Sequence, residues 1–304
     1  MQSSVAILGA GVMGLGLARH FLRAGFEVAV IDPSAKSLEN AQFLLDAAAP
    51  SGPAPLFATA PAGLPDRWRD CALVVEAVPE RLEIKHAALA AVETFFRPDT
   101  LIASNTSGLT TAALTAPMAH PERLAIAHFF NPADVIPVVE LIASASMPAS
   151  RLNDVATLLR RSGKLPAILR REVPGFVANR IQHAMMRECF HLLQEGVADA
   201  ATLDDILRWS IGVRMAVFGP FLQRDLNGLD THLAIADYLY PDLSAATTPA
   251  PTLRAKVAAG ELGRKTGLGF YDWDARREQR VRTAEAALVG LIRDLTAQET
   301  TEGE

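Results

Sequence analysis

The chain has 304 residues, which by the usual length prior is enough for about two domains. Half of the residues are hydrophobic and 21% are charged, a composition that excludes a disordered or fibrous protein. The formal net charge of −5 gives no indication of a nucleic-acid partner. No run reaches the roughly 18 apolar residues that span a membrane, so we expect no membrane partner either.

The first part of the chain alternates short β-branched runs with helical patterns. Such alternation is typical of βαβ units, in which helices cover a mainly parallel sheet. We therefore predict an α/β fold with a doubly wound sheet at the N-terminal end. The predicted strands cover residues 5–8, 27–31, 72–76, 100–104, 124–129, 136–142 and 165–170, and the first helices cover 13–24 and a segment from about 35.

After Pro174-Gly175 the periodicity becomes helical throughout. This change predicts an all-α C-terminal domain, with the two domains at 1–174 and 175–304. The predicted helices of the second domain cover residues 176–195, 202–212, 228–240, 252–260 and 281–298.

Cys71 and Cys189 each lie in an apolar run, without another Cys or a His at metal-ligand spacing. We therefore expect two inert core thiols in a reducing compartment, and no metal. The sequence passes from Met1 almost directly into the apolar run at residues 5–8, which predicts that it carries no leader. Together these features predict a cytoplasmic protein.

A glycine-rich motif joins the first predicted strand to the first predicted helix. Its glycines suit a tight turn and close approach of a pyrophosphate, and the helix N-terminus supplies free N–H groups. Asp32 ends the second strand, about 20 residues further on, as in Rossmann-type dinucleotide-binding domains. The predicted cofactor-binding residues of the motif are Gly9, Ala10, Gly11, Val12, Met13 and Gly14.

Asp32 also predicts which dinucleotide binds. A carboxylate at this position accepts hydrogen bonds from the ribose diol and repels a 2′-phosphate. Lys36, a nearby cation, falls on the next predicted helix, where a solvated surface charge is the expected role. The predicted cofactor is therefore NAD.

His128 ends the apolar segment Leu124-Ala125-Ile126-Ala127, at the carboxyl end of a predicted strand. Doubly wound sheets open their ligand crevice at this edge, and histidine is suited to proton transfer near neutrality. The other six histidines fall on predicted helices or in a turn. By spacing alone, a structural and a catalytic role for His128 are equally compatible with the sequence.

Glu140 lies within the next apolar strand, where an unpaired carboxylate is costly to bury. A histidine at the end of the neighbouring strand would satisfy it, because the carboxylate would accept the ring N–H and fix the tautomer. A salt bridge to an arginine is the alternative.

Seven motifs in order resemble those of the 3-hydroxyacyl-CoA dehydrogenase family, over nearly the whole chain. They are Gly9-Ala10-Gly11-Val12-Met13-Gly14, Glu76-Ala77-Val78-Pro79-Glu80, Ser104-Asn105-Thr106-Ser107, His128-Phe129-Phe130-Asn131-Pro132 with Glu140, Pro174-Gly175-Phe176 with Asn179-Arg180, Gly219-Pro220-Phe221, and Lys265-Thr266-Gly267-Leu268-Gly269-Phe270-Tyr271.

The resemblance implies a catalytic set of His128, Glu140, Ser107 and Asn179. His128 would take the proton of the substrate 3-hydroxyl while hydride leaves C3, and Glu140 would orient its ring. Ser107 would bind the reacting oxygen near the nicotinamide ribose, and Asn179 would bind the substrate. Further cofactor contacts implied by the resemblance are Glu80, Lys85, Ser107, Asn131 and Lys265. Without the resemblance, Glu80 and Lys85 are expected to be solvated helix charges.

The sequence departs from the family between Asp32 and Glu76. Acyl-CoA enzymes usually carry a lysine-bearing helical excursion here that contacts CoA, whereas residues 47–64 contain no Lys or Arg. Relatives that act on L-gulonate or carnitine keep the same hydride chemistry, and Asn179-Arg180-Ile181-Gln182 resembles their branch. The His-Phe-Phe-Asn-Pro and Ser-Asn-Thr-Ser segments resemble the acyl-CoA branch.

From these motifs we predict an NAD-dependent oxidation of the 3-hydroxyl of a short 3-hydroxyacyl-CoA, in fatty acid metabolism. One alternative is a dehydrogenase of a free 3-hydroxy acid. The other is a non-enzymatic NAD(H)-binding protein of the crystallin type. The resemblance also implies a homodimer.

Overall fold

An eight-stranded sheet forms the centre of the N-terminal part of the chain. The computed structural model describes residues 4–46 and 54–302 and divides into two units, one ending at Val177 and the other beginning at Ala178. The strands are β1 (Ser4–Leu8), β2 (Glu27–Ile31), β3 (Leu56–Ala58), β4 (Leu73–Glu76), β5 (Leu101–Ser104), β6 (Leu124–Phe129), β7 (Val138–Ala143) and β8 (Leu165–Ile168). Their order in the sheet is β3-β2-β1-β4-β5-β6-β7-β8. Because the strand order reverses between β1 and β4, a ligand crevice is expected at their carboxyl ends.

Helices cover both faces of this sheet, which confirms the predicted fold class. Val5 and Ile7 of β1 belong to one buried cluster, and Ala6 and Leu8 belong to another, because successive side chains point to opposite faces. The first cluster is covered by α1 (Val12–Arg23), α2 (Ala35–Asp46) and α5 (Ala149–Arg161), and the second by α3 (Leu82–Phe95) and α4 (Thr111–Thr115).

One pair of strands differs from the rest in direction. Every neighbouring pair is parallel except β6 and β7, which are antiparallel. The connecting segment 130–137 is shorter than the dozen or so residues that a parallel crossover needs, so the chain turns straight back.

Strand β3 and helices α4 and α5 of the first unit were not predicted. Strand β3 has three residues between Pro55 and Pro61, a setting that reads as a loop in the sequence. Helix α5 is amphipathic and packs Leu152, Val155 and Leu159 into the core.

Cys71 is buried, and burial raises the pKa of its thiol to about 12, as expected of an inert core thiol. Cys189 is half-buried, so the core prediction is wrong for that residue.

The second unit is helical. Its helices are α6 (Ala178–Gln194), α7 (Ala200–Ile206), α8 (Val213–Met215), α9 (Pro220–Asn227), α10 (Leu229–Leu239), α11 (Pro251–Ala258) and α12 (Ala275–Glu302), with a π-helix at Leu207–Gly212 between α7 and α8. The single helix predicted for 202–212 is therefore divided. Helices α6 to α11 contain no buried residue. Among the described residues, no helix has the length and apolar character needed to cross a membrane.

Candidate active site

The glycine loop between β1 and α1 packs tightly against the protein at two glycines, Gly9 and Gly14, and leaves open space at a third, Gly11. A Cβ on Gly9 would lie 2.6 Å from the carbonyl oxygen of Ala77, and one on Gly14 would lie 1.8 Å from that of Gly9. Gly9 also has a φ of 101°, in the left-handed region that favours glycine. A Cβ on Gly11 would meet no atom within 4 Å, and no side chain caps the N-terminus of α1.

Asp32, directly after β2, has its carboxylate fixed beside this loop. One oxygen accepts a hydrogen bond from the Ala10 amide at 2.9 Å, and the other accepts one from the Ser34 amide at 2.9 Å. Lys36 is exposed on α2, as expected of a solvated charge. The open, uncapped helix N-terminus and the adjacent carboxylate fit the pyrophosphate and the ribose diol of NAD.

His128 and Glu140 are brought together by the antiparallel pairing of β6 and β7. The two residues lie directly opposite each other in the register, so their side chains project from the same face. Nδ1 of His128 lies 2.8 Å from Oε2 of Glu140, and both side chains are buried. The aromatic rings of Phe130 and Phe176 lie 4.6 and 5.4 Å from the His128 ring, measured between centroids.

The segment that follows Pro174 supplies a further contact to this pair. Phe176 has a φ of 49°, a conformation that costs a bulky residue strain, and its ring is buried. This turn directs the amide of Val177 toward Glu140, whose Oε1 accepts its hydrogen bond at 2.9 Å. The glutamate is therefore held at both oxygens.

Ser107 lies in the loop after β5, where its side chain is exposed. Neighbouring Asn105 connects this loop to β6, because its Oδ1 accepts a hydrogen bond from the Phe129 amide at 2.9 Å. The end of β5 is thereby fixed next to the end of the strand that carries His128. Asn131 is exposed just beyond β6.

The expectation that Lys85 is a solvated helix charge is wrong. It lies on α3 but is 1% exposed, and its Nζ lies 2.7 Å from Oε1 of the buried Glu76 and 3.2 Å from Oε2 of Glu80. Glu80 precedes α3 rather than lying on it, and its carboxylate contacts the Ser107 loop. A buried carboxylate attracts a buried cation, and the sequence analysis had left Glu76 without a role.

Asn179 and Lys265 belong to the second unit. Asn179 is half-buried at the start of α6, and Lys265 is exposed between Gly263 and Gly267, two glycines with positive φ. Their contributions to catalysis and to cofactor binding remain predictions. No group of three or more potential metal ligands occurs among the described residues.

Sequence reasoning missed Glu76, Asn105 and the Val177 amide. Glu76 ends the apolar run Leu73-Val74-Val75, so the argument applied to Glu140 would have flagged it as a buried carboxylate in need of a partner. The sequence contains no comparable signal for the backbone amide of Val177.

A dinucleotide loop with its acidic partner and a histidine at the carboxyl edge of the same sheet are together typical of nicotinamide-dependent dehydrogenases. Comparison with known proteins gives the family. A family model described as 3-hydroxyacyl-CoA dehydrogenase, NAD binding domain, matches residues 4–51 and 60–173, and one described as the C-terminal domain of 3-hydroxyacyl-CoA dehydrogenase matches residues 175–273.

Two relatives that act on free acids are similar over most of the chain. The 5-formyl-3-hydroxy-2-methylpyridine 4-carboxylate 5-dehydrogenase of Mesorhizobium japonicum is 32% identical over 98% of this chain and 100% of its own length. A solved structure of an enzyme of this name, described as an NAD+-dependent dismutase, has a TM-score of 0.89 at 32% identity and covers 97% of this chain and 99% of its own. L-carnitine dehydrogenase of Streptomyces griseus is 34% identical over 91% of this chain and 87% of its own.

A thioester relative is similar as well. The structure of (S)-3-hydroxybutyryl-CoA dehydrogenase from Ralstonia eutropha has a TM-score of 0.71 at 30% identity and covers 90% of this chain and 100% of its own. The chain belongs to the 3-hydroxyacyl-CoA dehydrogenase family, and it is an NAD-dependent oxidoreductase that acts on a CH–OH group.

We predict that Asp32→Asn narrows the preference for NADH over NADPH by about tenfold or more, because it removes the charge that repels a 2′-phosphate. The change keeps the shape of the side chain beside Ala10. Dissociation constants for both cofactors, measured by fluorescence titration, check this. Lys36→Gln, on the exposed face of α2, is the control and should leave the ratio unchanged. An unaltered ratio in Asp32→Asn would contradict the assignment.

Proposed function

We propose that the enzyme oxidises a substrate hydroxyl with His128 as the general base. The observation that carries this proposal is the buried contact between Nδ1 of His128 and Glu140. With Nδ1–H donating to the carboxylate, the tautomer leaves Nε2 as the acceptor for a proton. Among the described residues, Nε2 of His128 has no hydrogen-bond partner, so it is available to a substrate hydroxyl.

Glu140 stabilises the imidazolium that forms when His128 takes the proton. Its second oxygen is occupied by the Val177 amide, and this contact keeps the carboxylate from rotating away from the ring. When bound at the glycine loop, NAD+ would supply the acceptor for the hydride of the carbon that carries the hydroxyl. The rings of Phe130 and Phe176 exclude water from the histidine, and each electrostatic contact in the site is stronger in such surroundings.

Four further residues would complete the site. Ser107 donates a hydrogen bond to the reacting oxygen, and Asn179 binds the substrate. Asn131 and Lys265 contact the cofactor. Support for these roles is the match of each residue to a family motif and, for Ser107, the hydrogen bonds that hold its loop beside β6.

We predict that His128→Gln lowers kcat by about 10²–10⁴-fold, the usual effect of losing a general base, with little change in NADH affinity. Glu140→Gln should also lower kcat, because an amide can donate to Nδ1 and so favour the wrong tautomer. Steady-state kinetics and NADH titration of both variants check this. Substantial turnover by His128→Gln would assign proton transfer to another group.

For the substrate, we propose a compact free carboxylic acid. The relatives that act on a pyridine carboxylate and on carnitine support this class, and the first of them is similar over the full length of both chains. Residues 47–64 contain no Lys or Arg to contact the phosphates of CoA. Residues 47–53 lie outside the described part of the chain, and the rest of this segment contains the short strand β3.

A 3-hydroxyacyl-CoA, the substrate predicted from the sequence, is the second candidate. The apolar rings of Phe130 and Phe176 beside His128 favour it, because an acyl chain packs well on such surfaces whereas a polyhydroxylated acid does not. The Ralstonia relative supports the same class.

A panel of substrates separates these candidates. The panel contains L-carnitine, L-gulonate, 5-formyl-3-hydroxy-2-methylpyridine 4-carboxylate, 3-hydroxybutyryl-CoA and its pantetheine analogue. We expect the highest kcat/KM for one of the free acids, since CoA gains few charge-assisted contacts here. A higher value for 3-hydroxybutyryl-CoA would establish the second candidate. No turnover of any compound in the panel would contradict both candidates.

We also propose that the enzyme is a homodimer, formed through its helical unit. Large apolar side chains of this unit are exposed, including Phe221 at 87% and Leu226, Leu229 and Leu233 at 63% each. Helices without a buried residue leave apolar surface that a second copy can cover, and monomers rarely expose so much.

Light scattering should give twice the chain mass of 32.6 kDa. Leu229→Glu should shift the protein toward the monomer, because it places a charge in the apolar contact. Phe43→Glu, which changes a residue 75% exposed in the first unit, is the control and should leave the dimer intact. A monomeric wild-type protein at micromolar concentration would contradict this proposal.

A further inference from the structure

A buried ion pair lies at the carboxyl edge of the sheet, apart from His128 and Glu140. Glu76 at the end of β4 is 0% exposed, and Lys85 on α3 is 1% exposed. Besides Lys85, the Glu76 carboxylate accepts hydrogen bonds from the Ser104 hydroxyl at 2.5 Å and from the Val78 amide at 2.8 Å. Both of its oxygens are therefore engaged inside the protein.

Stability alone is a weak reason for such a pair. Removing two charges from water carries a large desolvation penalty, and well-packed apolar residues often replace a buried ion pair without loss of stability. The ion pair therefore calls for a role besides holding α3 to the sheet. Lys85 indicates that role, because its Nζ also lies 3.2 Å from Glu80, whose side chain is 41% exposed.

One oxygen of Glu80 accepts hydrogen bonds from the Ser107 loop, residues 106–108. Oε1 accepts from the Thr106 hydroxyl at 2.5 Å, from the Ser107 amide at 3.0 Å and from the Gly108 amide at 3.2 Å. An ionised carboxylate accepts such bonds far better than a protonated one. The conformation of the loop thus depends on the charge of Glu80.

Lys85 favours the ionised form of Glu80, because its Nζ lies 3.2 Å from Oε2 of that carboxylate. Desolvation favours the neutral acid, but the Thr106 hydrogen bond and the positive charge of Lys85 together hold the pKa of Glu80 below its usual value. The loop itself offers Glu80 only the hydroxyls of Thr106 and Ser107 and backbone amides, none of which titrates in this range. Glu76 of β4 lies on the other side of Lys85 and fixes the ammonium in place.

We propose that the Glu76–Lys85 ion pair is a positioning device that keeps Glu80 ionised and so holds the Ser107 loop in its cofactor-binding conformation. The proposal rests on the function proposed above for Ser107 at the nicotinamide ribose. Glu76 and Lys85 are positioning residues in this proposal, because they act through Glu80. The cofactor contact that the resemblance implies for Lys85 is a separate role, and its loss would weaken NADH binding at every pH rather than at low pH alone. Asn105 connects the position of this loop to β6, the strand that carries His128, because its Oδ1 accepts a hydrogen bond from the Phe129 amide.

The test uses Lys85→Met and the double variant Glu76→Gln/Lys85→Met, with NADH titrated from pH 5 to 9. Without the cation, the pKa of Glu80 rises, so Glu80 becomes protonated as the pH falls. We expect both variants to bind NADH nearly as the wild type does at pH 9, and to lose affinity relative to it by about tenfold or more at low pH. Glu80→Gln, which mimics the protonated acid, should bind weakly at every pH.

The double variant covers the case in which Lys85→Met alone leaves Glu76 unpaired and does not fold. Leu89→Ala is the control, because it removes a fully buried side chain from the same helix without touching the network. It should lower Tm and leave the pH profile unchanged. The proposal is wrong if the NADH affinity of the Lys85 variants depends on pH as that of the wild type does. It is also wrong if Leu89→Ala shows the same pH dependence as the Lys85 variants. In either case the ion pair is merely structural. NADH binding is measured without substrate, so either result leaves the assignment of His128 as the base untouched.

Discussion

The antiparallel pairing of β6 and β7 is the constraint on which the site depends. It sets His128 directly across from Glu140, so the ring and the carboxylate meet without any loop having to hold them. A parallel pairing would have required a long crossover in place of segment 130–137. The strained turn at Phe176 then brings the Val177 amide to Oε1 of the glutamate.

Two carboxylates, Glu76 and Glu140, are buried at the carboxyl edge of the sheet, and both need polar partners. Glu140 and Glu76 are both buried carboxylates near strand ends, and each is satisfied by a nitrogen-bearing side chain together with a backbone amide. At Glu140 the partner is a histidine, the side chain that most often transfers protons in catalysis, whereas at Glu76 it is a lysine, which contributes an ammonium group. One site is therefore suited to proton transfer and the other to holding a fixed charge.

The sequence predicted those features that depend on local patterns. The glycine loop and Asp32 have fixed spacing in the chain, and His128 and Glu140 stood out as polar residues in apolar strands. The burial of Lys85 was not predictable in this way, because it depends on Glu76, nine positions away on a different element. Strand β3 was not predicted, because its flanking prolines are typical of a loop. Val177 was not predicted either, because it acts through a backbone amide, which every residue other than proline possesses.

The carboxylates at the dinucleotide edge are held by groups of the protein itself. Asp32 is fixed by the amides of Ala10 and Ser34, and Glu80 is fixed by Thr106 and the loop after it. A cofactor that meets side chains already in place loses little affinity to ordering them. The binding edge is thus preorganised, and the selectivity predicted for Asp32 requires only the fixed position of its charge, without a rearrangement of the loop.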